Sequence, residues 1–230
     1  MACSPHPTCP GDTRCRYATN ALAVGDFDQD GWLDLVVVNG LTDVPEPNVL
    51  LLNRDGTFEE SKLPGGDCET YGVAVLDANG DGRLDIALAN GDTANQLLLN
   101  AGGGVFTPST LPGYAGAYRY PKIVAGDLNN DGYTDLVTTN TDSCCPNELL
   151  VNNGTGGFSV VVLPGGALVS QPLALGDVNG DGWIDIVIAN YMGSPMDQLL
   201  INNRDGTFSS RTLVGTGTTN LYVADLNRDG

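Results

Sequence analysis

Five acidic segments of one pattern recur along this chain, about 50 residues apart. The first reads Asp26-Phe27-Asp28-Gln29-Asp30-Gly31-Trp32-Leu33-Asp34. The second places Asp77, Asn79, Asp81, Gly82 and Asp85 in the same register. The third has Asp127, Asn129, Asp131, Gly132 and Asp135, and the fourth Asp177, Asn179, Asp181, Gly182 and Asp185. A fifth, with Asp225, Asn227, Asp229 and Gly230, stops at the last residue. Side-chain oxygens at positions 1, 3, 5 and 9 are what a hard cation such as Ca²⁺ requires, since it gathers six to eight oxygens at about 2.3–2.6 Å. The glycine at position 6 supplies the left-handed backbone for the sharp bend that converges them. Position 7 is Trp32, Arg83, Tyr133 or Trp183. Such variety fits a residue that donates only its backbone carbonyl. Without a cation, each pair of carboxylates ~4 Å apart would cost on the order of 1–4 kcal/mol. Each loop is complete in itself, so the sites are expected to act independently.

An EF-hand begins in the same way, but it needs a bidentate Glu at position 12 and a helix on each side. Position 12 is Val37, Leu88, Thr138 or Ile188. The flanks are β-type runs such as Leu35–Val38, Ile86–Ala89 and Ile186–Ala189. The loops therefore join strands.

The elements that must carry these loops repeat with them. Tyr71–Leu76 reads as a strand feeding the second loop, and Leu84–Ala89 as an apolar strand leaving it. Gln96–Asn100 is a third strand, and Val105–Pro108 an outer fourth. Val49–Leu52, Leu149–Val151 and Leu199–Ile201 are third strands in the other repeats, and Phe58, Phe106, Phe158 and Phe208 mark the fourth. Asp55-Gly56 and Asp205-Gly206 are hairpin signals. The second strand is apolar on both faces, so both need covering. Four-stranded blades packed side by side do this, which predicts an all-β propeller. No segment sustains a helical period. The 31 glycines and 13 prolines suit short strands and tight turns.

The predicted organisation is a Cys-rich segment over 1–19 and blades over 20–68, 69–118, 119–168 and 169–215. A truncated fifth blade follows over 216–230. Because the fifth loop is cut within its motif, the chain reads as a fragment and the propeller as incomplete.

The net charge of −18 is local to the loops, which hold 15 of the 28 acidic residues. The remaining 13 nearly balance 10 Lys and Arg. There is no basic patch for nucleic acid or anionic membrane, and no apolar run of transmembrane length. Met1–Pro5 does not read as a secretory signal. Cysteines stand at 3, 9, 15, 68, 144 and 145, an even number that suits an oxidising compartment. If Cys144 and Cys145 bridge each other, the other four allow two bridges in three pairings; free packed thiols are the alternative. No Cys/His spacing suits zinc. Asn153-Gly154-Thr155 is a glycosylation sequon.

The repeat resembles the FG-GAP/VCBS repeats of integrin-like β-propellers. The resemblance rests on "GDFDQDGWLDLVV", "GDLNNDGYTDLV", "GDVNGDGWIDIV" and the tail "LLLNRDGTF", and it covers residues ~20–230. It implies Ca²⁺ on Asp26, Asp28, Asp30 and Asp34 with the Trp32 carbonyl. It implies the same for Asp77, Asn79, Asp81 and Asp85 with Arg83, for Asp127, Asn129, Asp131 and Asp135 with Tyr133, and for Asp177, Asn179, Asp181 and Asp185 with Trp183. Asp225, Asn227 and Asp229 would begin a fifth site that lacks position 9. The second repeat departs at Leu76, where the others have Gly25, Gly126 and Gly176.

The function implied is a calcium-stabilised extracellular or cell-surface module for binding or adhesion, without catalysis of its own. A protein or glycan ligand would meet the face opposite the calcium loops. That face would be built from residues 43–48, 67–71, 114–120, 142–147 and 191–197, with Tyr114, Tyr118, Arg119 and Tyr120 as candidate anchors. The alternative is the propeller portion of a secreted polysaccharide lyase, with Lys122 or Arg119 as base. His6 is the only histidine and lies in the N-terminal segment, so no Ser/His/Asp set can form in the core.

Overall fold

The structure is a computed structural model. It describes residues 19–40, 47–65, 69–91, 93–113, 121–141, 145–166, 170–190, 197–214 and 221–224. These residues contain strands and turns and no helix. The chain divides into two compact units, Met1–Tyr120 and Pro121–Gly230.

Each unit holds two four-stranded sheets. In the first unit, β1 (Thr19–Gly25), β2 (Asp34–Asn39), β3 (Val49–Arg54) and β4 (Thr57–Lys62) form one sheet. A second consists of β5 (Thr70–Leu76), β6 (Asp85–Asn90), β7 (Gln96–Gly102) and β8 (Val105–Thr110). In the second unit, the third sheet is β9 (Lys122–Gly126), β10 (Asp135–Thr139), β11 (Glu148–Asn152) and β12 (Phe158–Val162). The fourth is β13 (Ser170–Gly176), β14 (Asp185–Asn190), β15 (Gln198–Asn202) and β16 (Phe208–Thr212). Spatial order follows chain order and every pairing is antiparallel, which is the meander of a propeller blade.

The acidic loops are the connections between the first and second strands. Gly25 pairs with Asp34, Leu76 with Asp85, Gly126 with Asp135 and Gly176 with Asp185. The ninth position is therefore the first residue of the second strand, and β6 starts at Asp85, not at the expected Leu84. The fourth strand of that blade runs on to Thr110, past Pro108. Pro108 stands opposite Leu98 on an outer strand, where its missing N–H breaks no ladder bond.

In the first unit, Phe27, Val36, Val38, Leu50, Leu52 and Leu63 pack on Ile86, Leu88, Leu98 and Phe106. All six residues of β6 are buried, as an apolar strand between two covered faces should be. In β2 Leu35 and Val37 are only partly buried, and Leu22 and Val24 of β1 are 61% and 54% exposed. The core of the second unit contains Leu128, Val137, Leu149 and Leu163 with Leu173, Ile186, Ile188, Leu200 and Phe208. The repeated phenylalanines are not equivalent. Phe106 and Phe208 are buried, while Phe58 is about half exposed. The Phe106 ring meets Phe27 of the preceding blade edge-on, with centroids 6.1 Å apart.

At the end of the sheet opposite the acidic loops, one latch recurs. The backbone N–H groups of Asn39, Asn90 and Asn140 donate to the side chains of Asn48, Asn95 and Asn147. In the fourth blade Asn190 donates to Asp197. Residues 221–224 form no strand, although a first strand of a fifth blade is expected over 216–230. A strand exists through its ladder partner, and no described residue pairs with them. Val223 does pack at Gly176, where a Cβ would come within 2.6 Å of it.

Candidate metal centre

The geometry of the four described loops follows from short-range hydrogen bonds that recur in each. The position-1 carboxylate spans the bend. One oxygen accepts the N–H of position 5 and the other the N–H of the position-6 glycine, at 3.1 and 3.0 Å for Asp26. Asp77, Asp127 and Asp177 repeat this with Gly82, Gly132 and Gly182 at 2.8, 2.9 and 2.6 Å. The glycines sit at φ of 93°, 80°, 89° and 84°, so the bend is left-handed as expected. The position-5 carboxylate accepts the N–H of position 7 in each loop, from Trp32, Arg83, Tyr133 and Trp183. In the first loop these bonds use Oδ1 of Asp28 and of Asp30 and leave Oδ2 of each to a further partner; Asn79, Asn129 and Asn179 give their single side-chain oxygen to the position-5 N–H.

Position 9 is different. Asp34, Asp85, Asp135 and Asp185 are completely buried. One oxygen of each accepts the N–H of position 2, from Phe27, Ala78, Leu128 and Val178 at 2.8–3.1 Å. The other accepts the backbone N–H of the asparagine on the third strand: Asn53, Asn100, Asn152 and Asn202 at 2.7–2.8 Å. This carboxylate thus ties the loop, the second strand and the third strand together. Burial raises Asp85 above the usual carboxylate range and pushes Asp135 up to about 6, against the two backbone donors that favour the charged form. Asp177 is lowered, chiefly by the N–H of Gly182, and Asp181 chiefly by the side chain of Arg204.

The donor chemistry fits a hard cation. In the first loop Asp26, Asp28 and Asp34 bring one oxygen each within 4.8 Å of one another. Oxygens about 2.3–2.6 Å from one ion lie no more than about 5 Å apart. In this loop each oxygen of Asp26 and Asp34 accepts one N–H and keeps a second lone pair. Guanidinium groups already occupy this acidic surface. Arg54, at the end of β3, bonds Asp28 and Asp30. Arg204 bonds Asp181 at 2.8 Å. Arg83, expected to offer only its carbonyl, also uses its side chain, bonding Asp81 at 2.5 Å and the Asn100 carbonyl at 2.8 Å.

Four successive matches to the FG-GAP-like repeat cover residues 26–88, 77–138, 127–188 and 177–230. The chain belongs to the FG-GAP-like repeat family. No curated protein matches it. Each FG-GAP-like match starts at one acidic segment and reaches the next.

Contacts between neighbouring repeats are what the sequence reading missed. Asn100 sends its side-chain N–H to the carbonyls of Phe27 and Leu84, at 2.8 and 3.0 Å. Asn202 does the same to Leu128 and Ile184, at 2.7 and 3.1 Å. A signal for them was visible, since an asparagine closes every third strand at 53, 100, 152 and 202. Gln29 donates to the Gly82 carbonyl at 3.0 Å, and Asn130 to the Gly182 carbonyl at 3.3 Å. The first loop is therefore bonded to the second and the third to the fourth, contacts that no single loop contains by itself.

Asp225, Asn227 and Asp229 lie outside the described residues, as do Tyr114, Tyr118, Arg119, Tyr120 and His6. Lys122 starts β9 half-buried, and burial lowers its ammonium from the usual lysine range. No helix among the described residues is long and apolar enough to cross a membrane.

Proposed function

We propose that this chain is an extracellular FG-GAP-like binding module whose blades are stabilised by calcium in their acidic loops. The observation that carries the reading is the convergence of Asp26, Asp28 and Asp34 in the first loop, on a backbone framework repeated in the other three. The ligands would be the carboxylates and amide oxygens of positions 1, 3, 5 and 9, with the carbonyl of position 7. Bound calcium would supply positive charge to offset the repulsion among these groups; it has no reaction to catalyse here. The chain's own residues do the positioning: the glycine bend converges the ligands, and Asp34, Asp85, Asp135 and Asp185 fix each loop to two strands. A partner, protein or glycan, would dock on the opposite ends of the blades, beside the Asn39–Asn48 and Asn90–Asn95 latches. There the loops can vary without disturbing the metal framework. Cys145 is buried and disulfide-bonded, which supports an oxidising, extracellular setting.

Isothermal titration of the metal-free chain with calcium tests the reading. Binding is expected at sub-millimolar concentration, in the range of extracellular calcium modules, about 10⁻⁴–10⁻³ M. A folded chain that takes up no calcium would end it.

A further inference from the structure

The position-4 residue divides the loops into two kinds. In the second and fourth loops it is Gly80 and Gly180, at φ of 72° and 71°. In the first and third it is Gln29 and Asn130, held in the same left-handed region at φ of 62° and 55°. A side chain there is strained relative to glycine, so its presence calls for something the side chain does. In both cases it is the same thing: the amide N–H reaches the carbonyl of the position-6 glycine in the next loop.

That carbonyl belongs to a peptide with a second attachment. The Gly82–Arg83 peptide accepts from Gln29 through its oxygen and donates through the Arg83 N–H to Asp81, 2.9 Å away. The Gly182–Trp183 peptide accepts from Asn130 and donates to Asp181, also at 2.9 Å. Gln29 in turn lies between Asp28 and Asp30, two ligand positions of its own loop. A line of bonds thus runs from the ligands of one loop, through one amide and one peptide plane, to a ligand of the next. A second line runs beside it. Asn100 donates its side-chain N–H to Phe27 in the first loop and its backbone N–H to Asp85 in the second. Asn202 joins Leu128 and Asp185 in the same way.

We propose that calcium binds cooperatively within each pair of neighbouring loops, first with second and third with fourth, coupled through Gln29 and Asn130. The proposal rests on the calcium reading above. A cation in the first loop draws Asp28 and Asp30 to fixed positions and so holds the Gln29 backbone. The amide then stays on the Gly82 carbonyl, and the same peptide keeps its N–H aimed at Asp81. The second loop meets its cation with a ligand already oriented, so less ordering remains to be done on binding. Repulsion between two bound cations acts in the opposite sense, but it is screened beyond about 8 Å at physiological salt, whereas the bonded line is not.

The four position-6 glycine amides provide a separate reporter for each loop, because each donates to its own position-1 carboxylate. The full ¹⁵N-labelled chain would be titrated with Ca²⁺ at physiological salt and the midpoints of Gly31, Gly82, Gly132 and Gly182 followed. Asp30→Ala, which damages only the first loop, is expected to shift the Gly82 midpoint to about threefold to tenfold higher calcium, the value of one or two hydrogen bonds. Gly132 and Gly182 should not move. In a Gln29→Gly background, Asp30→Ala should no longer affect Gly82 to that extent, whereas Gln29→Asn should retain the effect, because Asn130 serves the third loop. Gln29→Gly by itself relieves backbone strain and should still shift Gly31 and Gly82 to higher calcium, which keeps the test open if Asp30→Ala does not fold. Unchanged Gly82 midpoints in both Asp30→Ala and Gln29→Gly would overturn the coupling while leaving calcium binding intact. Silence of all four amides would overturn the calcium reading and the coupling together.

Discussion

The guanidinium of Arg54, where β3 turns into β4, stands 2.7 Å from the carboxylate of Asp30 in the acidic loop of the same blade. It also bonds Asp28, and both carboxylates raise the arginine's pKa further. The oxygens it takes are Oδ2 of positions 3 and 5, those not used by the backbone of the loop. An arginine placed there offsets the loop's charge when no metal is present and competes for the same oxygens when one arrives. Replacing it with a neutral side chain, Arg54→Gln, should therefore raise the calcium affinity of the first loop about two- to fivefold, the scale of an exposed ion pair. Calcium titration followed at Gly31 and Gly132 checks this: the first should respond and the second, in a loop without such an arginine among the described residues, should not. The gain should shrink at high salt.

Asn100 is 2% exposed and donates its side-chain N–H groups to the buried carbonyl of Phe27 and the partly buried carbonyl of Leu84. Asn100→Ala leaves these acceptors without them and should destabilise the first unit by about 1–3 kcal/mol. Asn53 is less buried, and its side chain donates to the Leu33 carbonyl at 3.2 Å and accepts the Gly56 N–H at 2.8 Å, both within its own blade. Asn53→Ala should cost clearly less. Urea denaturation of the two variants side by side would show the difference; equal losses would mean that the bond between blades contributes nothing special.

Removing calcium should lower the melting temperature steeply. A site with a Kd of ~10⁻⁴ M at millimolar calcium adds roughly 1.4 kcal/mol by mass action. Four such sites would add about 5–6 kcal/mol, comparable with the whole net stability of many domains at about 5–15 kcal/mol. Calorimetric melting with calcium and with a chelator measures this directly, and identical curves would contradict it. Magnesium should substitute poorly, since it demands a tighter octahedral shell.

The pH dependence follows from Asp135. Its folded, metal-free pKa of about 6 lies above the ordinary value. Between about pH 4, where an unfolded aspartate titrates, and pH 6, the folded chain holds a proton that the unfolded chain has lost. At this residue metal-free stability therefore falls as pH rises through that window. Calcium needs the carboxylate, so its affinity at the third loop should fall as pH drops below about 6. The melting-temperature gain from calcium should be larger at pH 7.5 than at pH 5. Asp85, raised by burial in the same way, acts in the same direction. A gain independent of pH would indicate that these buried carboxylates are not ligands.

Much of the site was legible in the chain because its bonds are short-range. The position-1 carboxylate reaches residues four and five places on, and positions 3 and 5 reach two places on. Once aspartates, asparagines and a glycine stand at those spacings, the bend has few other ways to form. The strands were legible for a similar reason, since a run that is apolar on both faces must be covered on both. The ninth position was legible as an acid but not as the buried clamp it is. Its second partner arrives only when the third strand pairs in register, 15 residues away for Asp85 and Asn100. Arg54, Asn100 and Gln29 act over 24, 73 and 53 residues. No local rule relates an amide in one repeat to a carbonyl in another; only the packing of blade on blade brings them within reach. The sequence by itself determined that four acidic loops of one pattern exist between strands. The tertiary structure decided that they come in bonded pairs, because the distance between loops is set by how the blades' side chains fill the space between them.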